Sequence, residues 1–501
     1  METSCFLHQH LLFFDEYYFF KFESLRPAFD DVGHKKRNFG FLNCFICINK
    51  YLKMKKTFLL LILNVFGFLS AQNQEHKRSI DSIISYFHEN NAFSGSVLIQ
   101  KNGETIYKGE FNTLAGHSDK YRVGSITKVF TAIMTFQLIE EGKLSLDTKL
   151  AQYYPEVKNA DEITVGDLLN HTSGIYNYLE WKEYYISKKK KFSKKEILDL
   201  IDQGRSEFKP GKDCAYSNSN YMLLGYIIED ITKKTFKENV DERVINKIGL
   251  KNTYLETDEK EYPQRNSSYF FDGEKWTKET ETHPSFTYSA GAIVSTTEDL
   301  SKLMDALLKG KLVSKKSLEK MGETNQKGIG YGLFKTPFYE KSGYGHTGRI
   351  DEFHSGTVYF IEDRLSISVL SNGGNKKLND VVVAIASEYY GRSYQKPDLI
   401  TYKNDKALKT KNYTGIYKAK LAGLINVGTF QISEAANNYL FLSMYEDGKD
   451  AEKVLLERKG ENKFYSQRNN AEFNFILNKH GKVTGAKLTQ NKQSISCTKV
   501  R

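Results

Sequence analysis

The stretch Gly124-Ser125-Ile126-Thr127-Lys128-Val129-Phe130 constrains this chain more than any other. A glycine precedes Ser125, and apolar residues follow at Val129, Phe130, Ile133, Met134, Leu138 and Ile139. That run reads as a buried helix entered through a turn. If Ser125 opens the helix, Lys128 lies one turn further on, on the same face. A serine hydroxyl is a poor nucleophile until a base takes its proton. A lysine one turn away is such a base when burial or a neighbouring cation keeps it neutral. The same spacing recurs at Ser187/Lys190, Ser317/Lys320 and Ser496/Lys499, in a lysine run, a polar helix-like stretch and the C-terminal tail. Those settings suit solvated surface. Taken alone, Ser125 has two readings, a nucleophile or a plain helix N-cap.

The first 53 residues stand apart from the rest. Met54-Lys55-Lys56 is followed by an apolar run from Thr57 to Leu69 and then by Ser70-Ala71-Gln72. A basic start, a short apolar stretch and small residues at the end describe a secretory signal over 54–71, cleaved after Ala71. The run is too short and interrupted for a membrane span. Residues 1–53 are then an upstream extension, most simply a start codon placed too early, with a genuine aromatic-rich extension as the alternative. Cys5, Cys44 and Cys47 fall in this part, and Cys44/Cys47 lacks the partner pair or histidine spacing of a metal or redox motif. Only Cys214 and Cys497 remain, far apart, so the exported chain is not disulfide-stapled. The formal charge of +11 is spread along the sequence. Its densest cluster, Lys188–Lys191 with Lys194 and Lys195, reads as a solvated face, with contact to an anionic lipid or polymer as the lesser alternative. No nucleic-acid motif accompanies it, so no nucleic-acid partner is expected.

Periodicity sets out the remainder. Ile80, Ile83, Ile84 and Phe87 predict an amphipathic helix. Residues 94–100 and 104–109 around Lys101-Asn102-Gly103 predict a hairpin. A second helix starts at Thr164 and ends near His171-Thr172-Ser173-Gly174. A mostly helical region covers 195–201 and 221–232. Thr297 is the expected N-cap of another helix, and strands are expected over 330–334, 356–361 and 365–371. After a linker beyond Lys396, short alternating strands at 413–417, 429–432, 439–444, 473–477 and 483–488 predict a small antiparallel barrel or sandwich.

Two further motifs bear on Ser125. In Cys214-Ala215-Tyr216-Ser217-Asn218, a phenol and an amide two residues apart can face one cavity from an irregular loop. Tyr216 could relay a proton, and Asn218 could fix the lysine or bind a substrate carbonyl. The alternative is a core tyrosine beside a turn asparagine, and Tyr402/Asn404 shows the spacing arising by chance. In Gly345-His346-Thr347-Gly348-Arg349, a glycine-bracketed edge strand would let substrate approach the backbone. Its amides could join that of Ser125 around an oxyanion. A protonated His346 would attract a substrate carboxylate.

The three motifs, in this order, resemble the serine β-lactamase and penicillin-binding superfamily. The Tyr216/Asn218 and His346-Thr347-Gly348 versions are similar to the branch holding class C β-lactamases, D-amino-acid peptidases and related bacterial esterases. Phe93–Ile99, Leu168–Gly174, Ile248–Thr253 and Ser295–Leu300 resemble it too. The resemblance covers roughly residues 77–395, and the tail from 405 to 501 resembles the small β-barrel appended to many members. It implies an α/β (α+β) fold in which a helical subdomain and an antiparallel sheet flanked by helices meet at a cleft. It implies a serine hydrolase working through an acyl-enzyme. Ser125 would be acylated, Lys128 and Tyr216 would share the general-base work in either order, and Asn218 would orient Lys128. His346, Thr347, Gly348 and Arg349 would line the substrate edge, with the amides of Ser125 and Arg349 as the oxyanion hole. His171–Gly174 would be a structural turn. No cofactor or metal is implied. The substrate would be a small molecule or peptide, such as a D-amino-acid peptide of the cell wall, an ester or a β-lactam. A non-turnover penicillin-binding or sensing protein is the alternative. Two departures bear on substrate choice. Arg349 follows Gly348 where the branch usually has glycine, and Gly291-Ala292 stands where Gly-Gly is frequent. Histidine in place of lysine at 346 carries full charge only below about pH 6.5. Modest or absent β-lactam hydrolysis is therefore expected, in a periplasmic or secreted setting.

Overall fold

The run Ser94–Ile99 has no polar face to turn outward, and the strand it forms is buried on both sides. Such a strand belongs inside a sheet covered above and below. β1 (Ser94–Lys101) turns through Asn102 and Gly103, both at positive φ as a tight hairpin requires, into β2 (Glu104–Glu110). Three short strands, β3 (Tyr121–Arg122), β4 (Tyr254–Leu255) and β7 (Ile293–Ser295), form a small sheet with β7 in the middle. β5 (Tyr269–Phe271) and β6 (Trp276–Lys278) pair as a hairpin. β8 (Phe334–Phe338), β9 (Lys341–Ile350), β10 (Phe353–Phe360) and β11 (Leu365–Gly373) complete the main sheet. Its order is β2-β1-β11-β10-β9-β8, and every pairing is antiparallel.

The computed structural model describes residues 51, 76–112, 114, 118–181, 183–258, 264–374, 377–397, 399, 410–421, 425–446, 449–466, 470–490 and 493–500. The expected extension over 1–53, Tyr51 apart, the signal over 54–71, Cys5, Cys44, Cys47 and Tyr402/Asn404 lie outside the described residues.

Each face of the main sheet has its own cover. Helix α1 (76–89) places Ile80, Ile83, Ile84 and Phe87 against Val97, Ile99, Ile367 and Val369. A later helix, whose Val381, Ala384 and Ile385 join the same cluster, spans Leu378–Tyr390. The opposite face meets Thr297–Leu308, beyond which lies the helical region around α2 (Thr127–Glu140). α2 is buried on every side from Thr127 to Leu138, as its apolar run requires. α3 (Val165–Leu169) begins with a capping box between Thr164 and Asp167, and α4 (Asn218–Thr232) packs on α2. α5 (Pro284–Gly291) packs on both, and α6 (Thr297–Leu308) is the helix against the sheet. The helix Leu378–Tyr390 is α7.

Eight strands close the C-terminal barrel in simple meander order: β12 (Gly415–Leu421), β13 (Ile425–Glu434), β14 (Leu440–Glu446), β15 (Lys449–Gly460), β16 (Lys463–Ser466), β17 (Ala471–Leu477), β18 (Val483–Gln490) and β19 (Gln493–Lys499). β12 pairs with β19, so no edge is left open. Tyr413, Tyr417, Phe430, Phe464, Phe473 and Phe475 fill the interior. The β5–β6 hairpin carries the barrel, with Phe271 packed among Tyr439, Phe441 and Leu455. Ala436 N–H bonds the Asp272 carbonyl at 3.3 Å across the same junction.

Several expectations shift. Thr296, not Thr297, caps α6, through a bond from Asp299 N–H. Residues 330–333 form a turn before β8 instead of a strand, with Gly332 at φ +88. β9 is not the sheet edge, because β8 lies outside it. That cover stops at Gly345, the last β9 residue paired with β8, so His346–Ile350 has no β8 partner on its outer side. Asn218 is the first residue of a helix, while Tyr216 stays in the loop before it.

Candidate active site

Ser125 sits in a single 3₁₀ turn, Gly124–Ile126, that leads into α2. Gly124 takes φ +50, and a Cβ there would lie 2.8 Å from the Arg349 backbone nitrogen. A Cβ on Gly348 would lie 2.0 Å from the Val123 carbonyl oxygen and 2.9 Å from the Ser125 nitrogen. Two glycines therefore let the Ser125 turn and the uncovered half of β9 meet backbone to backbone. Ser355 Oγ donates to the Val123 carbonyl at 2.7 Å from β10. Arg122, three residues before Ser125, reaches Asp351 at 3.2 Å and Glu256 at 2.5 Å. Asp351 is the turn residue after β9, and it also accepts from Thr282 N–H and Oγ1–H at 2.9 and 2.8 Å.

Lys128 is fully buried one turn into the helix. Its Nζ lies 3.0 Å from Ser125 Oγ, 2.8 Å from Asn218 Oδ1 and 2.8 Å from the Ala290 carbonyl. Ala290 comes from α5, whose regular winding breaks at Tyr288, φ 27 and ψ −116. That break is held by Tyr288 Oη–H donating to Glu229 at 2.7 Å. Past it, the Ser289 carbonyl takes Thr131 Oγ1–H and the Ala290 carbonyl takes Lys128. Asn218 is oriented in turn by Asn177, whose Oδ1 accepts Asn218 N–H at 3.1 Å and Nδ2–H at 3.2 Å. With its amide nitrogen so engaged, its Oδ1 faces Lys128.

Burial holds the Lys128 amine well below the ordinary lysine range. A neutral amine has two N–H donors and one lone pair. The Asn218 and Ala290 oxygens absorb the two donors, which leaves the lone pair for the Ser125 hydroxyl. Tyr216 is pushed the other way. Burial raises its phenol above the usual range, against a hydrogen bond with the Ser125 side chain. Both groups are thus driven to their neutral forms, an amine that can accept a proton and a phenol that can give one.

The sheet side of the cleft is aromatic. The His346 ring stacks on Phe334 with centroids 4.2 Å apart, and Phe334 meets Tyr216 edge-on at 6.3 Å. His346 is 3% exposed, and burial beside Lys128 lowers its imidazole to about 3. Near neutral pH His346 is therefore an uncharged ring, without the attraction for a carboxylate that a protonated one would supply. Thr347 and Arg349 are exposed on the other face of the strand, and Gly348 lies between them against the Ser125 turn. On this edge the positive charge belongs to Arg349. Among the described residues no group of three or more His, Cys, Asp or Glu side chains could hold a metal ion.

The structure thus brings Ser125, Lys128, Tyr216, Asn218 and the His346–Arg349 segment together. A family model described as Beta-lactamase matches residues 80–387. The chain belongs to the beta-lactamase family. A penicillin-binding protein of Bacillus subtilis (strain 168) is 25% identical over 409 residues, 74% of this chain and 88% of that protein. The teichoic acid D-alanine hydrolase of Staphylococcus aureus (strain MRSA252) is 26% identical over 312 residues, 59% of this chain and 74% of the relative. The crystal structure of a D-stereospecific amidohydrolase from Streptomyces sp. has a TM-score of 0.56 at 26% identity, covering 64% of this chain and 99% of that one. This member of the beta-lactamase family is a serine hydrolase.

Sequence reading missed four parts of this beta-lactamase-family site. Asn177 is a lone asparagine in Ile175-Tyr176-Asn177-Tyr178, with nothing local to announce its bond to Asn218. Phe334 reads in sequence only as the end of a strand. The Ala290 carbonyl is a backbone group and leaves no mark in side-chain patterns. The Arg122–Asp351 pair joins residues 229 positions apart. The lysine-rich segment is exposed, as its sequence suggests, and its lysines meet carboxylates at the surface. Lys190 pairs with Glu196, Lys191 with Asp258, Lys194 with Asp230 and Lys195 with Asp199, while Lys188 turns inward to Glu279.

Proposed function

We propose that this hydrolase acylates Ser125 with Lys128 as the base, and that its substrates are D-amino-acyl amides or esters. Lys128 takes the Ser125 proton as Oγ attacks the substrate carbonyl. The backbone amides of Ser125 and Arg349, brought together by Gly124 and Gly348, receive the developing oxyanion. Tyr216 gives its proton to the leaving amine or alkoxide and takes up the one Lys128 accepted, so both groups end neutral, and Asn218 keeps Lys128 aimed. Water then repeats the sequence on the acyl-enzyme and restores Ser125. The observation that carries this reading is the placement of the Lys128 amine, which has its two donors occupied and its remaining valence 3.0 Å from Ser125 Oγ.

Substrate class follows from charge. A β-lactam carries a carboxylate beside its reactive carbonyl; the neutral His346 offers it no cation, and the charge of Arg349 lies on the opposite, exposed face of the strand. Esters and amides lacking that carboxylate lose nothing by this. The names of two relatives, a teichoic acid D-alanine hydrolase and a D-stereospecific amidohydrolase, support the same choice. Export supports it as well, since the basic, apolar and small-residue pattern of 54–71 would carry the chain to cell-wall substrates.

The test is turnover of a D-alanyl ester, a D-amino-acid amide and nitrocefin by the wild-type protein and Ser125→Ala. Multiple Ser125-dependent turnovers on the D-amino-acyl compounds, well above nitrocefin, are expected. A single stoichiometric burst, or fast nitrocefin hydrolysis persisting at alkaline pH, would overturn the assignment.

A further inference from the structure

The segment His171-Thr172-Ser173-Gly174 takes no part in the steps above, yet it is bound to the loop that presents Tyr216. The His171 carbonyl accepts Ala215 N–H at 3.1 Å, and its Nδ1 accepts Ser217 N–H at 3.1 Å. Its ring lies on the Tyr216 ring, with centroids 4.3 Å apart and planes 26° from parallel. One residue therefore holds the amide before Tyr216, the amide after it, and one face of the phenol ring.

The rest of the segment fastens the same loop. The Thr172 carbonyl takes Gly211 N–H at 2.8 Å, and the Gly174 carbonyl takes Glu207 N–H at 2.9 Å. Ser173 Oγ donates to Asn220 Oδ1 at 2.7 Å, which turns Asn220 Nδ2 toward His171 Nδ1 at 3.3 Å. Two donors thus converge on Nδ1, so the ring is bound as the tautomer with its hydrogen on Nε2. His171 is 1% exposed and holds φ +64, a strained conformation for a residue other than glycine or asparagine. A turn needed only to reverse the chain would be better served by glycine there.

We infer that His171 is a positioning residue for acyl transfer, holding the Tyr216 phenol at Ser125 from behind. This rests on the acyl-transfer reading of Ser125, Lys128 and Tyr216. His171 acts through Tyr216, on which its ring is stacked. Loss of the ring frees the phenol to tilt without removing any group that meets substrate. The effect should therefore fall on kcat and spare KM.

The experiment places 3-fluorotyrosine at position 216 of the full chain and records its ¹⁹F resonance beside steady-state ester hydrolysis. The stacked imidazole should displace the resonance from that of free fluorotyrosine. His171→Ala should return it toward the free position and lower kcat roughly 10- to 100-fold, with KM within about threefold. His171→Asn tolerates the backbone and restores an acceptor for Ser217 N–H, so it should recover part of the lost kcat. An unmoved resonance, or kcat within twofold of wild type in His171→Ala, would overturn the inference. If His171→Ala fails to fold, His171→Asn carries the test: it lacks the stacked ring, so undiminished kcat in it would likewise overturn the inference. Absence of Ser125-dependent turnover in the wild-type protein would instead count against the acyl-transfer reading, while the ¹⁹F displacement reports the His171 support by itself.

Discussion

Arg122 and Asp351 form an ion pair, 3.2 Å apart with both side chains 1% exposed, that joins the strand before Ser125 to the turn after Arg349. Arg122 also holds Glu256, and Arg265 joins Glu256 to Glu281 at 2.7 and 2.6 Å. Charges this deep stay only while all are compensated. Asp351→Ala leaves the buried Arg122 guanidinium with Glu256 alone and the Thr282 donors without their acceptor, so a loss of about 3–5 kcal/mol in denaturant unfolding is expected. Activity should fall with it, since the Ser125 and Arg349 amides lose their common tether. A change below about 1 kcal/mol would show that the pair is dispensable.

Gly124 and Gly348 should be the least replaceable residues that carry no functional group. Gly124→Ala adds a methyl 2.8 Å from the Arg349 nitrogen at a position of φ +50, and Gly348→Ala adds one 2.0 Å from the Val123 oxygen. Either should part the turn from β9 and lower kcat/KM for an ester by roughly 100-fold or more. Gly460→Ala, in the barrel with no neighbour nearer than 3.7 Å and no left-handed φ, serves as the comparison and should keep full activity. Equal activity in all three would refute a backbone cradle at this contact.

Acid should loosen the fold through its buried imidazoles. Burial lowers His346 and His354 to about 3 and takes His171 well below its ordinary value. In the unfolded chain each binds a proton near pH 6.5. Between those limits the unfolded state holds more protons than the folded one. Stability is therefore full above pH 6.5 and falls as pH drops toward 3, by about 1.4 kcal/mol per pH unit for each imidazole. The Tm should decline from pH 7 to pH 5, and His346→Gln should make that decline shallower. A Tm independent of pH over this range would contradict the burial argument.

Asn218 should matter for direction more than for binding. Asn218→Ala removes the acceptor that occupies one Lys128 donor, leaving the amine free to turn from Ser125. A kcat loss of roughly 10- to 100-fold is expected in ester hydrolysis. Asn177→Ala, one step removed, should produce a smaller loss of the same kind. A variant order reversed from this would show that Asn218 has another role.

The sequence disclosed the side chains of the site and little of what aims them. Ser125 and Lys128 are close in the chain, on a 3₁₀ turn and the helix it leads into, so local winding sets their distance. The decoys fail on setting, which only tertiary structure fixes. Lys320 reaches outward to Glu323, and Ser496 and Lys499 lie on a strand, where residues three apart point to opposite faces. Tyr216, Asn218 and His346 were legible through their motifs, because short motifs keep their order even when packing brings them together. The Ala290 carbonyl, Asn177 and the Arg122–Asp351 pair were not, since each depends on a backbone break or a distant partner. In the fold, Val381-Val382-Val383 obscured α7, because β-branched residues weaken a helical signal that burial against the sheet then overrides. β16 and β19 escaped because short barrel strands with one wet face are as polar as loops.

The central claim is that Lys128, and not Tyr216, takes the Ser125 proton. The decisive measurement is the rate of Ser125 acylation by a reactive ester at neutral pH, by rapid mixing, in wild type, Lys128→Ala and Tyr216→Phe. Lys128→Ala should acylate slower by roughly 1,000-fold or more, with Tyr216→Phe affected less. Acylation within tenfold of wild type in Lys128→Ala, or a greater loss in Tyr216→Phe, would contradict the account.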